Sequence, residues 1–129
     1  DLFYIKMTSP AIFLKKEGGN AELKVENGKE YNIALEGNPT TGYSWYMANV
    51  DIVKNSNSVE MLNLDEYNGS SDYVTDPHEP GMCGVGGVYH FKFKVKDATA
   101  NKLPKLVFEY KRPWEKDVPP YGKAEITLK

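Results

Sequence analysis

Tyr89-His90-Phe91-Lys92-Phe93-Lys94-Val95-Lys96 decides the fold. Large apolar residues occupy every second position, and a histidine and three lysines fill the gaps. That period of two belongs to a β-strand with one face on a core and the other in water. The same alternation returns in Leu106, Phe108 and Tyr110 between Lys105, Val107, Glu109 and Lys111. Ala124, Ile126 and Leu128 repeat it near the C-terminus. Upstream, Leu23 and Val25, then Tyr31, Ile33 and Leu35, flank Asn27-Gly28, a dipeptide that predicts a β-hairpin at that point.

Shorter strands are expected near residues 43 to 47 and 58 to 64. Residues 2 to 7 and 12 to 15 read as edge segments ahead of the Gly18-Gly19 break. Helix signals are almost absent. The reading is therefore all-β: an immunoglobulin-like antiparallel β-sandwich of about seven strands in a single domain. The strands are A (about 21 to 26), B (30 to 36), C (43 to 47), D (58 to 64), E (88 to 96), F (105 to 111) and G (123 to 128). If consecutive strands alternate in direction, the B–C, D–E and F–G connections emerge at one end. The D–E connection, roughly 65 to 87, is too long for a simple turn and reads as an exposed excursion.

Bulk composition bounds the function. A chain of 129 residues with 40% apolar content supports one core and not two comfortable domains. Residues 1 to 18 are expected to be an N-terminal extension or edge strand, and 19 to 129 the sandwich domain. A formal net charge of −2 argues against a nucleic-acid partner, and no apolar run reaches the roughly 18 residues of a membrane span. Cys83 is the one cysteine, so packing and not a disulfide must hold the fold. Because the chain starts at Asp1, we expect a mature form or excised domain from the secretory or endomembrane route.

The three co-terminal loops carry the unusual text. In the B–C loop, Asn38-Pro39-Thr40-Thr41-Gly42-Tyr43, Pro39 fixes its own φ and pushes Asn38 toward an extended conformation. Gly42 can supply a positive φ, and the two threonine hydroxyls can cap local backbone groups or face a partner. Trp45, just inside strand C, belongs to the core. Gly84-Val85-Gly86-Gly87 removes side chains where strand E begins, allowing another backbone to come close or forming a bulge. A strand and not a helix follows, which excludes a phosphate-cradling loop. Arg112-Pro113-Trp114 joins two residue types enriched at binding hot spots to a stiffening proline, reading either as an exposed anchor or as a Trp folded back over the sandwich end.

A catalytic reading fares worse. Cys83 with His78 or His90 lacks a helix to lower the thiol pKa and a third group to orient the base, so the chain is not read as an enzyme. One cysteine and two histidines fall short of a zinc site, and no cofactor is expected. Asn68-Gly69-Ser70 is a glycosylation acceptor sequence, whereas the proline in Asn38-Pro39-Thr40 disqualifies Asn38.

Taken in order, the three loops resemble those of the chagasin family of cysteine protease inhibitors, which carry NPTTG, GxGG and RPW motifs. The resemblance covers about residues 20 to 129, and the D–E connection is longer than a minimal member requires. It implies a reversible, tight-binding inhibitor that plugs the cleft of papain-like, cathepsin-like proteases as a 1:1 monomer. The segment from Gly84 to Gly87 would cross the catalytic cysteine of the enzyme. Met82 and Cys83 would enter the cleft with it, Cys83 as a small apolar contact. The B–C residues Asn38 to Tyr43 and the F–G residues Arg112, Pro113 and Trp114 would grip either side. The alternative is an immunoglobulin-like interaction module without inhibitory activity.

Overall fold

The computed structural model describes residues 10–75, 86–98 and 103–129. In chain order the strands are β1 (Ile12–Leu14), β2 (Gly18–Leu23), β3 (Glu30–Gly37), β4 (Ser44–Met47) and β5 (Val59–Met61). They continue with β6 (Asp72–Thr75), β7 (Gly87–Val95), β8 (Leu106–Lys111) and β9 (Gly122–Leu128). One short helix, α1 (Val50–Ser56), lies between β4 and β5.

Two sheets form the sandwich. One has the order β1-β3-β7, with β5 and β6 both lying along the far side of β7. The other runs β2-β9-β8-β4. The inward residues are those picked out by alternation: Ile33 and Leu35 on β3, Phe91 and Phe93 on β7, Leu106 and Phe108 on β8, and Ile126 on β9 are all fully buried. Phe91 and Phe108 meet across the two sheets with ring centroids 4.4 Å apart. Trp45 is also fully buried, and its indole N–H donates to the Glu36 carbonyl at 2.9 Å, so its polar end is satisfied inside the core. On the outer face of β7 the lysines are matched by acids. Lys94 stands opposite Glu30 and Glu60, and Lys92 pairs with Asp72 at 2.9 Å.

Four expectations are corrected. The expected hairpin around Asn27-Gly28 does not form. A turn is present, with Gly28 at φ +76° and Lys29 N–H donating to the Glu26 carbonyl at 3.3 Å. Yet β2 pairs in parallel with β9, from Gly18↔Lys123 to Leu23↔Leu128, while β3 pairs with β7. The turn carries the chain from one sheet to the other, because burying both apolar faces requires the two strands on opposite layers. Second, the sheets are not wholly antiparallel: β1 also pairs in parallel, with β3. Third, α1 was not anticipated. Seven residues with Val53 as the one buried member are too few to show a 3.6-residue period. Fourth, strand D stops at Met61, and the D–E connection contains β6, antiparallel to the first half of β7. Residues 2 to 7, also expected as an edge segment, lie outside the described residues.

Between β5 and β6 the chain leaves its sheet and seals the open side of the sandwich. Met47 N–H donates to the Asn68 carbonyl at 2.8 Å, and Tyr46 bridges Gly69. This segment covers the exposed edge of β4, a position where an unpaired strand invites aggregation.

Candidate functional site

Register places the three loops at one end. Gly37, the last residue of β3, pairs with Gly87, the first of β7. Thr75, the last of β6, pairs with the same Gly87. Ser44 at the start of β4 faces Lys111 at the end of β8, and Tyr110 faces Gly122 where β9 begins. The roots of the loops after β3, β6 and β8 therefore form one crown.

The B–C loop is a 3-10 turn over Pro39–Thr41 with Asn38 as its N-cap, in extended conformation at φ −143°. Asn38 Oδ1 accepts from Thr40 N–H at 3.0 Å and from the Thr40 hydroxyl at 2.6 Å, while the Thr41 hydroxyl donates to the Asn38 carbonyl at 2.8 Å. The Thr41 hydroxyl thus caps the loop's own backbone, and the Thr40 hydroxyl braces the capping Asn38 side chain. Gly42 closes the turn at φ +85°, and its N–H donates to the Pro39 carbonyl at 3.0 Å. From beneath, the Tyr110 hydroxyl accepts from Asn38 N–H at 2.8 Å.

Arg112 ties this loop to the F–G loop. Its Nε donates to the Thr41 carbonyl at 3.0 Å, and its guanidinium sits 4.4 Å from the centroid of the Tyr43 ring. A more distant contact of 3.8 Å joins it to Glu115, which also donates its N–H to the Arg112 carbonyl at 3.1 Å. Trp114 is 66% exposed, but its indole lies over Gly42. A Cβ on Gly42 would stand 2.6 Å from Trp114 Cη2, so a side chain there would push the indole aside as well as strain the positive φ. Asn38, Pro39, Thr40, Thr41, Gly42, Tyr43, Arg112, Pro113 and Trp114 form one locked unit in which Trp114 is the projecting aromatic.

The third loop is visible at its root. Gly86 is partly buried and Gly87 is buried inside β7. A Cβ on Gly87 would be 2.3 Å from the Val74 carbonyl oxygen and 2.5 Å from the Tyr73 hydroxyl. The residue that makes close approach necessary at Gly87 is therefore the chain's own β6. Met82, Cys83, Gly84 and Val85 lie outside the described residues.

Sequence reading missed the floor under the crown. Tyr43 stacks on Tyr110 at 5.3 Å, Tyr121 meets both edge-on, and Tyr73 packs on Tyr89 at 4.7 Å. Burial pushes the Tyr89 phenol up to about 12, so it stays a neutral packing group. Alternation marks Tyr89 and Tyr110 as core, but nothing local shows that five tyrosines converge. Val74, Val118 and Tyr121, like Trp114, are exposed large apolar residues. The candidate acceptor Asn68 lies elsewhere, half-buried at φ +68° in a turn that Asp65 braces. Among the described residues no group of His, Cys, Asp and Glu could hold a metal ion.

A β-sandwich that holds stiff, partly apolar loops at one end is built for protein recognition. The matches to known proteins make the class specific. Residues 24–128 match the family described as Chagasin family peptidase inhibitor I42, and the chain belongs to that family. It is 38% identical to Amoebiasin-1 of Entamoeba histolytica over 90% of this chain and 94% of that protein. It is 30% identical to Chagasin of Trypanosoma cruzi, covering 77% of this chain and 79% of the other. The crystal structure of a cysteine protease inhibitor from Entamoeba histolytica shares the fold, with a TM-score of 0.57 at 22% identity over 93% of this chain and 97% of that one. The chain is therefore a member of a peptidase-inhibitor family, with the fold of a cysteine protease inhibitor.

Proposed function

We propose that the crown acts as a convex wedge in the protease cleft, with the D–E loop central and the B–C and F–G loops gripping the two walls. The observation that carries this reading is the mutual locking of the outer loops: Arg112 on Thr41 and Tyr43, and Trp114 over Gly42. Loops already held in their bound shape lose little conformational entropy on binding, so an interface of ordinary size, about 1,600 Å² in total, can bind tightly. The same stiffness opposes cleavage, because a scissile bond must reach attack geometry before it is hydrolysed.

Each residue has a role in this scheme. Trp114 is the apolar anchor, and Pro113 holds it out. Arg112, Tyr43 and Asn38 position the loops, while the Thr41 hydroxyl caps the turn, the Thr40 hydroxyl braces Asn38, and Pro39 is the turn's rigid shoulder. Gly84, Val85, Gly86 and Gly87 pass close to the enzyme thiol, with Met82 and Cys83 as apolar contacts beside it. The domain that carries this is 19 to 129, and on a glycosylating secretory route Asn68 is the acceptor, checked by a peptide map of native material.

The test is a titration of papain with this protein, followed with a fluorogenic peptide. Stoichiometric loss of activity that recovers on dilution and leaves the inhibitor uncut is the expected result. No inhibition at micromolar concentration would leave an interaction module in its place.

A further inference from the structure

A groove of about 630 Å³ lies on the outer face of the β4–β8 pair, outside the crown but opening onto it. Its walls are Tyr46, Tyr67, Glu109, Lys111 and Pro113. Pro113 belongs to the F–G loop, so groove and crown are one continuous surface. We propose that this groove is a second contact surface for the same protease, receiving an apolar or aromatic side chain from the rim of its cleft and adjusting which proteases are inhibited. The proposal rests on the wedge reading, since the crown brings the rim within reach.

Three observations choose this occupant. Tyr67 is 71% exposed, yet the turn that carries it is pinned. Asp65 Oδ1 accepts from Tyr67 N–H at 2.8 Å and Gly69 N–H at 2.9 Å, Asp65 N–H donates to the Gly69 carbonyl at 2.8 Å, and Asn68 is tied to β4 through Met47. A large aromatic on a fixed turn offers contact area at low entropic cost, which is the property of a binding anchor. The charges of the groove are already matched: Lys111 Nζ lies 3.4 Å from Glu109 and 6.0 Å from the Tyr46 ring centroid. A floor with paired charges and aromatic walls favours an apolar guest over a charged one. Finally, continuity with Pro113 makes the groove a neighbour of whatever the F–G loop grips.

Inhibition constants of the wild type, Tyr67→Ala, Tyr67→Phe and Trp114→Ala against papain and two cathepsins test the idea, with melting temperatures alongside. Tyr67→Ala is expected to weaken inhibition of at least one enzyme roughly 5- to 30-fold, the range of an ordinary to strong interface residue. Its melting temperature should stay at the wild-type value, and Tyr67→Phe should restore the inhibition constant. If Tyr67→Ala stays within about twofold of wild type on all three enzymes, the groove is not a contact surface, whatever Trp114→Ala does. Trp114→Ala reports separately on the wedge: an unchanged constant there sinks the wedge reading itself.

Discussion

Trp45 and Trp114 show how differently the sandwich interior and its crown use one residue type. Trp45 is fully buried, packs 5.2 Å from Tyr110 and has its N–H satisfied by Glu36. Trp114 is mostly in solvent, held by a proline on one side and laid over a glycine of another loop. Interior residues are held by many apolar neighbours. Crown residues are held by a few specific contacts that leave an apolar face open, and stability and inhibition should therefore separate by region.

The largest expected effect breaks the comparison if it fails. Trp45→Ala should cost about 3 to 5 kcal/mol of stability by emptying a large core site, seen as a sharp fall in melting temperature. Trp114→Ala should leave melting almost unchanged and weaken inhibition by ~2 to 4 kcal/mol, the range of a hot-spot truncation. Similar loss of stability in both would erase the distinction between interior and crown.

Gly87 sharpens it, because this residue stands at the border. Gly87→Ala must displace the Val74 carbonyl, 2.3 Å from the new Cβ, and so push β6 from β7. Overpacking of this kind costs ~1 to 3 kcal/mol, and urea unfolding should show it. Inhibition by the folded fraction should fall as well, since β6 and β7 together root the D–E loop. Stability lost with inhibition intact would mean that the root does not position that loop.

Cys83→Ser is the gentler probe of the crown. It should retain most of the inhibition, with a loss of at most about 1 kcal/mol from reduced burial. An adduct between wild-type inhibitor and protease, detected by mass spectrometry, would instead assign the thiol a covalent role.

The smallest effect concerns His90, on the outer face of β7. Burial lowers its pKa from 6.5, and Lys92 adds to this while Asp72 opposes it. Its ring hydrogen-bonds to Asn32, with Nδ1 2.9 Å from Asn32 Nδ2 and 3.1 Å from Oδ1. A base with a depressed folded pKa is protonated first in the unfolded chain. Its contribution to stability is therefore complete above about pH 6.5 and is lost as pH falls through the folded value. Melting temperatures between pH 7.5 and 5 should fall slightly more steeply for wild type than for His90→Gln. An identical slope would show that the ring environment is the same in both states.

Much of the sandwich was legible because alternation is local and burial enforces it. Phe91, Phe93, Leu106, Phe108 and Ile126 could only be useful facing inward, and they do. The B–C loop was equally readable: Pro39 and Gly42 restrict their own backbones, and Asn38 needs a partner only two residues away. Pairing was not legible. Asn27-Gly28 specifies a turn but not the strands on either side of it, and β2 found its partner in β9, a hundred residues later. β6 was hidden because its two outer residues, Val74 and Thr75, are exposed and its ladder is supplied by β7.

By itself, then, the sequence determined the strand periodicity, the buried face of each long strand and the internal shape of the B–C turn. These depend on single residues and their immediate neighbours. Tertiary structure alone decided which strands pair, that Tyr43, Tyr73, Tyr89, Tyr110 and Tyr121 gather under the crown, and that Arg112 and Trp114 close over Thr41 and Gly42. The bonds from Asn38 to Tyr110 and from Arg112 to Thr41 join residues about 70 positions apart, and their geometry exists only once the strands that carry them have packed.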